Sequence, residues 1–178
     1  MTLSFKLQLN GKPTYFPEKI IAGLFNNQKY SLLDIVAYYN PFLHSKYRKW
    51  DTLGETLTPK IHTIRADKSN RWKLGNKIHF VINNRTPERM QFAPVVECVG
   101  VQFVLIYPYK RVVIIAKPSI NYLSLQHPIR AVCGKYSLSE EEVYELAIND
   151  GFDSVEAFWE YFNEPFQGKI IHWTNLIY

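Results

Sequence analysis

Residues 59–80 read PKIHTIRADKSNRWKLGNKIHF. Two apolar runs bracket a polar middle. Residues 60–65 suit a short strand, KIHFVIN at 77–83 suits a longer one, and KLGN before it marks a turn. The same stretch holds four lysines, two arginines, two histidines and a tryptophan. A strand framed by Lys60 and Arg65 needs solvent or a partner for each charge, because an unpaired charge enters a core only at great cost. The stretch thus raises two questions together: where the sheet runs, and which face carries the positive charge.

Working outward, LSFKLQL at 3–9 alternates at period two and predicts a strand, with NGKP as the turn after it. YFPEKIIAGLFNN predicts a helix. Pro17 suits its first turn, and Phe16, Ile20, Ile21 and Leu24 share a face. YSLLDIVAYYN predicts a second helix, opened by a capping box of Ser31 and Asp34 and stopped at Pro41. Residues 40–58 have no clear period. Their HSKYRKW run interleaves cations with aromatics, so Tyr47 either stacks on a ligand or plugs the edge of the core.

Beyond the quoted stretch, VVECVGVQFVLIY and KRVVIIA predict two strands joined at Tyr107-Pro108-Tyr109. Residues 117–137 are irregular. Ser139 and Glu142 form a second capping box, opening a helix that runs to Asp150 and ends at Gly151. SVEAFWEYFN is a further helix and GKIIHW a closing strand. The pattern predicts one α+β domain over 1–178, with a small barrel-like sheet and helices at its ends and edges.

Composition narrows the class. Hydrophobic residues make up 47% of 178, enough for a core without disulfides or a structural metal. Cys98 and Cys133 lie far apart with no CxxC spacing, and Cys98 sits in an apolar run, so a reducing compartment fits. No apolar run reaches the ~18 residues of a membrane span, and the opening MTLSFKLQLNGK lacks a signal peptide's apolar stretch, so a soluble cytoplasmic protein is expected. The net charge of +5 is unevenly spread. Residues 46–77 hold nine Lys and Arg against three acids, whereas 140–164 hold nine acids and no Lys or Arg. The basic segment suits a polyanion; the two segments could also neutralise one another. There is no GxSxG, P-loop or Rossmann glycine pattern. His62 and His79 could face each other across paired strands, but without a third ligand no zinc site is expected, nor any cofactor.

Asp150 breaks local rules. It continues the stripe of Val143, Leu146 and Ala147 toward the core, at a helix C-terminus where the macrodipole disfavours an acid. It needs a partner, with Arg65 a candidate, or a role facing the basic strand across a cleft. Lys60 and Thr63, three apart, share a face only if their strand bends or begins near Lys60.

KIHTIRAD, RWKLGNKIHF and the later ELAINDGFDSVEAFWEYF…GKIIHW resemble the ASCH domain family, a branch of the PUA-like fold. The resemblance covers 60–106 and 138–174, with FPEKIIAGL at 16–24 joining it, and leaves 28–58 and 117–137 as insertions. It implies a small β-barrel with flanking helices and a cleft for RNA or a nucleotide, without a cofactor or metal. The same motifs resemble the small bacterial acetylcytidine amidohydrolases. Their lysine and threonine map onto Lys60 and Thr63, their glutamate approximately onto Asp150, and Arg65 matches the family arginine. Two positions depart from the pattern: Asp150 is one methylene shorter than Glu, and Ile61 stands where a threonine often follows the lysine.

Two expectations follow from the resemblance. The first is a binding module in which Lys60, Arg65, Lys68, Arg71 and Lys73 contact phosphates and Trp72 or Tyr47 stacks on a base, although an aromatic before such a turn more often packs under the sheet, a reading open to Trp72 as well. The alternative is an amidohydrolase. There Thr63 is the nucleophile, Lys60 its base, Asp150 the orienting or proton-transferring acid, and Arg65 or backbone N–H groups stabilise the oxyanion. A third reading makes the acidic 140–164 helices a protein contact face.

Overall fold

The computed structural model describes residues 1–27, 30–47, 57–116 and 135–178. The chain opens with β1 (Thr2–Ser4) and a small hairpin of β2 (Gln8–Leu9) and β3 (Lys12–Pro13). Asn10 and Gly11 turn it, both at positive φ, as a two-residue hairpin loop requires. Two helices follow, α1 (Phe16–Asn26) and α2 (Leu32–Leu43). The Ser31–Asp34 capping box is present. Pro41 lies inside α2 rather than stopping it; the helix continues only two residues beyond it, one i→i−4 hydrogen bond short.

The strands β4 (His62–Arg65), β5 (Lys77–Ile82), β6 (Met90–Gln91), β7 (Val96–Glu97), β8 (Gly100–Tyr107), β9 (Val112–Ala116) and β10 (Lys135–Ser137) come next. Then α3 (Glu140–Asn149), α4 (Val155–Tyr161) and β11 (Phe166–His172) complete the chain. An antiparallel sheet has the order β10-β9-β8-β11-β4. A second sheet centres on β5, which pairs with β1 in parallel and with β6 and β7 antiparallel. The α+β class is therefore as expected. Among the described residues none of the sheets closes into a barrel.

The expected single strand over 95–107 is broken because its partner changes. Val96 and Glu97 pair with β5, Cys98 still bonds Asn76, and Val99 donates to the His172 carbonyl. The chain thus turns the corner between the two sheets at Cys98–Val99, a common device where strands switch sheets. A second difference is β10, which lies within the span read as irregular; residues 117–134 of that span lie outside the described residues, as do 28–29 and 48–56 of the other expected insertion. The rest of that insertion contains α2, which packs Ile35 and Phe42 into the core.

Two apolar clusters form. One joins β1, β5, α1 and α2 around Phe5, Phe42, Phe80, Phe92 and Trp173. The other fills the space between the five-stranded sheet and helices α3 and α4, around Ile64, Val104, Ile170, Leu146 and Phe158. Strand β11 serves both, and β4 lies beside it. Alternation sends Ile64 and Ile170 to one cluster and Ile171 to the other. The segment entering β4 is thereby held at the boundary.

Candidate functional site

The segment 60–64 wraps around the C-terminus of α3. Ile61 donates its backbone N–H to the Asn149 carbonyl at 3.0 Å, and Lys60 N–H donates to the Lys19 carbonyl of α1 at 2.9 Å. Asp150 is the C-cap of α3, and Gly151 follows at φ 89°. Asp150 Oδ1 accepts from Lys60 Nζ at 2.8 Å and from the Ile64 N–H at 3.0 Å. Lys60 Nζ also donates to the Asp150 carbonyl. Lys19 Nζ donates to the Gly151 carbonyl at 2.9 Å and pairs with Asp153. Two lysines therefore satisfy the carbonyl end of α3, where positive charge suits the dipole and offsets the misplaced acid.

Of the expected trio, Lys60 and Asp150 meet at this boundary, though not in a cleft, and Thr63 makes no hydrogen bond to either among the described residues. Lys60 and Thr63 are each 2% exposed and Asp150 5%. The partner of Asp150 is Lys60, not Arg65: strand β4 begins at His62, so Lys60 precedes the alternation and is free to turn inward. Arg65 is directed elsewhere. Its guanidinium lies over the Phe5 ring at 5.0 Å and donates to the Ser4 carbonyl at 2.9 Å. Lys60 Nζ lies 5.0 Å from the Phe16 ring centre and 5.9 Å from that of Phe5. Phe5 and Phe16 are thus part of the site. The residue-level reading missed their role because an aromatic in an alternating run signals core, not a cation's neighbour.

Burial pulls Lys60 down to about 8, against the pull of Asp150, and burial pushes Asp150 up against the pull of Lys60. Burial also lowers Arg65. Both members of the pair are thus displaced toward neutrality while remaining in contact at 2.8 Å. Neither Lys60 nor Arg65 is placed to contact a phosphate.

The downstream cations are arranged differently. Lys68, Arg71 and Lys73 are exposed on the loop from β4 to β5, and none is in an ion pair among the described residues. The loop is nevertheless fixed. Asp67 accepts the N–H groups of Arg71 (3.0 Å) and Trp72 (2.9 Å). Lys169 Nζ, from β11, donates to Asp67 at 2.9 Å, to the Trp72 carbonyl at 3.1 Å and to Asn70 at 2.5 Å. Burial would raise the Asp67 carboxyl, but Lys169 and those two N–H groups outweigh it and hold it below its usual value. The one acid of the loop is therefore neutralised from behind.

Trp72 is a correction. It is 6% exposed and belongs to the first apolar cluster, so it cannot serve as an exposed stacking platform; its backbone bonds to Asp67 and Lys169 turn the ring inward. Tyr47 is half-buried and lines an open groove of about 330 Å³ with Leu7, Gln8, Lys46 and Asn83. That groove lies at the Asn83 end of β5, whereas the basic loop enters at Lys77, six residues away. Tyr47 and the loop cations are therefore separated by ~20 Å of strand.

The sequence allowed His62 to face His79, but β4 does not pair with β5. His62 pairs instead with His172 across β4 and β11, with ring centres 5.6 Å apart, and the Tyr178 ring lies edge-on at 5.4 Å from His62. None of the four ring nitrogens makes a hydrogen bond among the described residues. Burial holds His172 at about 4, and burial with the nearby His172 and Lys60 pushes His62 well below its usual value. Among the described residues no three His, Cys, Asp or Glu side chains could hold a metal together, and no helix is long and apolar enough to cross a membrane. Compared with protein-family models, curated proteins and solved structures, the chain matches none.

Proposed function

We propose that the protein is a cytoplasmic RNA- or nucleotide-binding module of the ASCH, PUA-like type, and that it binds through the loop between β4 and β5. The observation that carries this reading is the disposition of charge on that loop. Lys68, Arg71 and Lys73 face solvent without acidic partners, on a backbone that Lys169 and Asp67 hold in place. Held cations suit a phosphate, because little order has to be created on binding.

Fluorescence anisotropy with labelled single-stranded RNA tests it. If the three cations each neutralise one phosphate, affinity should fall roughly 20-fold between 50 and 200 mM salt. The variant Lys68→Glu/Arg71→Glu/Lys73→Glu should lose binding while keeping its melting temperature. Equal affinity in that variant, or no binding by the wild type, would sink the proposal.

A second reading, deacylation of acetylcytidine or a related nucleoside amide, is favoured by one observation. Lys60, drawn down to about 8 and held by Asp150, has the character of a poised base close in sequence to Thr63. It ranks second because a substrate carbonyl would have to reach Thr63, which is only 2% exposed. Turnover of acetylcytidine by the wild type that is lost in Thr63→Val would reverse the order.

A further inference from the structure

The hairpin tip between β8 and β9 carries a cluster that the basic loop does not explain. Tyr107 is 38% exposed and Tyr109 82%, and Lys110 and Arg111 beside them face solvent. None of these four side chains makes a hydrogen bond, ion pair or ring contact among the described residues. Pro108–Lys110 form a single 3-10 turn, closed by the Arg111 N–H on the Pro108 carbonyl. Arg111 sits at φ 49°, in the left-handed region that glycine enters without strain. A tip that only had to reverse the chain would be better served by glycine. Here a strained position bears a cation instead, next to two bared aromatic rings.

Register places this tip relative to the basic loop. Arg65, Lys169 and Phe103 form one row across β4, β11 and β8. Tyr107 lies four residues beyond Phe103 on β8, two strands from β4. Four residues along and two strands across amount to ~16 Å from the end of β4, where the basic loop begins. That separation exceeds the reach of a single nucleotide. On the opposite side of the tip, Leu138 bonds Val113, and the acidic first turn of α3, Glu140 to Glu142, follows directly. A polyanion at the tip is therefore repelled on the β10 side and drawn toward β4. Glu164, on the turn entering β11, is the acid it would pass.

We infer that the Tyr107–Arg111 tip is a second contact for a single-stranded nucleic acid that also engages the basic loop, its bases stacking on Tyr107 and Tyr109 and its phosphates meeting Lys110 and Arg111. The inference rests on the binding proposed for the loop, and it makes the ligand a strand of several nucleotides. Stacking on exposed rings tolerates any base, so length rather than sequence should govern affinity.

The test is anisotropy with three-nucleotide and twelve-nucleotide oligouridines at low salt. The variants are Tyr107→Ala/Tyr109→Ala and Lys110→Gln/Arg111→Gly; the glycine relieves the left-handed strain, so the hairpin should survive it. Each variant should weaken the twelve-mer about tenfold or more and leave the three-mer within about twofold. Glu164→Gln should strengthen the twelve-mer. Unchanged twelve-mer affinity in both tip variants overturns the inference while leaving the loop proposal standing. Loss of both oligomers on reversing the charge of Lys68, Arg71 and Lys73 supports the loop, and wild-type binding there removes the premise. If phosphatidylserine vesicles sediment the protein through the tip residues and RNA affinity is indifferent to them, the tip is a membrane contact and the inference falls.

Discussion

The two halves of residues 59–80 carry the same kind of charge and use it in opposite ways. In the first half Lys60 and Arg65 turn inward, onto Asp150, backbone carbonyls and the faces of Phe5 and Phe16. In the second half Lys68, Arg71 and Lys73 turn outward with no acid to meet them. The difference follows from what lies behind each segment. Lys60 enters at a helix C-terminus, where unsatisfied carbonyls and a misplaced carboxylate require a cation. The later loop already has its cation, Lys169, donated from β11. Charge in the first half holds the fold together, and charge in the second is available for binding.

The most severe way to break this comparison is to remove Asp150. Asp150→Ala takes from buried Lys60 the carboxylate that favours its proton, and it strips the Ile64 N–H of its acceptor. Urea unfolding should show a loss of ~3–5 kcal/mol. Lys60→Met should cost a similar amount, and the double variant Lys60→Met/Asp150→Ala less than the sum, because an apolar pair abandons no charge. Additive costs in that cycle would show that the two residues do not act as a pair.

Next in size is a response to mild acid, to which the buried histidines contribute. In the unfolded chain His62 and His172 protonate near 6.5, while folded His172 resists protonation until about 4. Between those values the unfolded state binds more protons, so stability falls as the pH drops from 6.5 to 4. His172 alone should account for ~3 kcal/mol of that loss. Unfolding midpoints measured from pH 7.5 to 4.5 should decline, and His172→Phe should flatten the decline. A wild-type profile without slope would mean that the imidazoles find proton acceptors after all.

A milder effect tests the support beneath the outward half. Lys169→Met leaves Asp67 nearly buried, facing only the N–H groups of Arg71 and Trp72. It should cost ~2 kcal/mol and speed amide exchange at residues 70–72 while leaving the α3 terminus protected. RNA affinity should fall even though no exposed cation has been altered. Preserved affinity would separate the shape of the loop from its binding.

Some of this arrangement was legible in the residues. Ser31 and Ser139 marked two helix starts because a capping box is local, and both boxes are present. Asp150 stood out for the same reason: helical spacing alone put an acid on an apolar stripe. What could not be read was its partner, since whether Lys60 or Arg65 reaches it depends on β4 starting at His62 rather than Lys60. Whether His62 faces His79 was equally beyond the sequence: β4 and β5 are neighbours along the chain but belong to different sheets, and the partner of β4 is β11, from the far end of the chain. Trp72 reads two ways in the sequence, as a stacking ring among cations or as an aromatic packed under the sheet; Asp67 and Lys169 fix the backbone around it so that it packs.

The finest prediction concerns single charges on the outward half. Lys68→Gln should leave the unfolding midpoint where it is, because an exposed side chain without a partner stabilises nothing in the folded state. Its effect should appear in the salt dependence of RNA binding, where each lost phosphate contact lowers the slope of log affinity against log salt by about 1. Arg71→Gln and Lys73→Gln should each do the same, and the decrements should add, since exposed cations without shared partners act independently. Lys60 gives the opposite signature: altering it moves the unfolding midpoint and, in whatever protein remains folded, spares the slope. A slope that fell with Lys60 and not with Lys68 would invert the assignment, placing the anion at the α3 terminus and leaving the loop as mere surface.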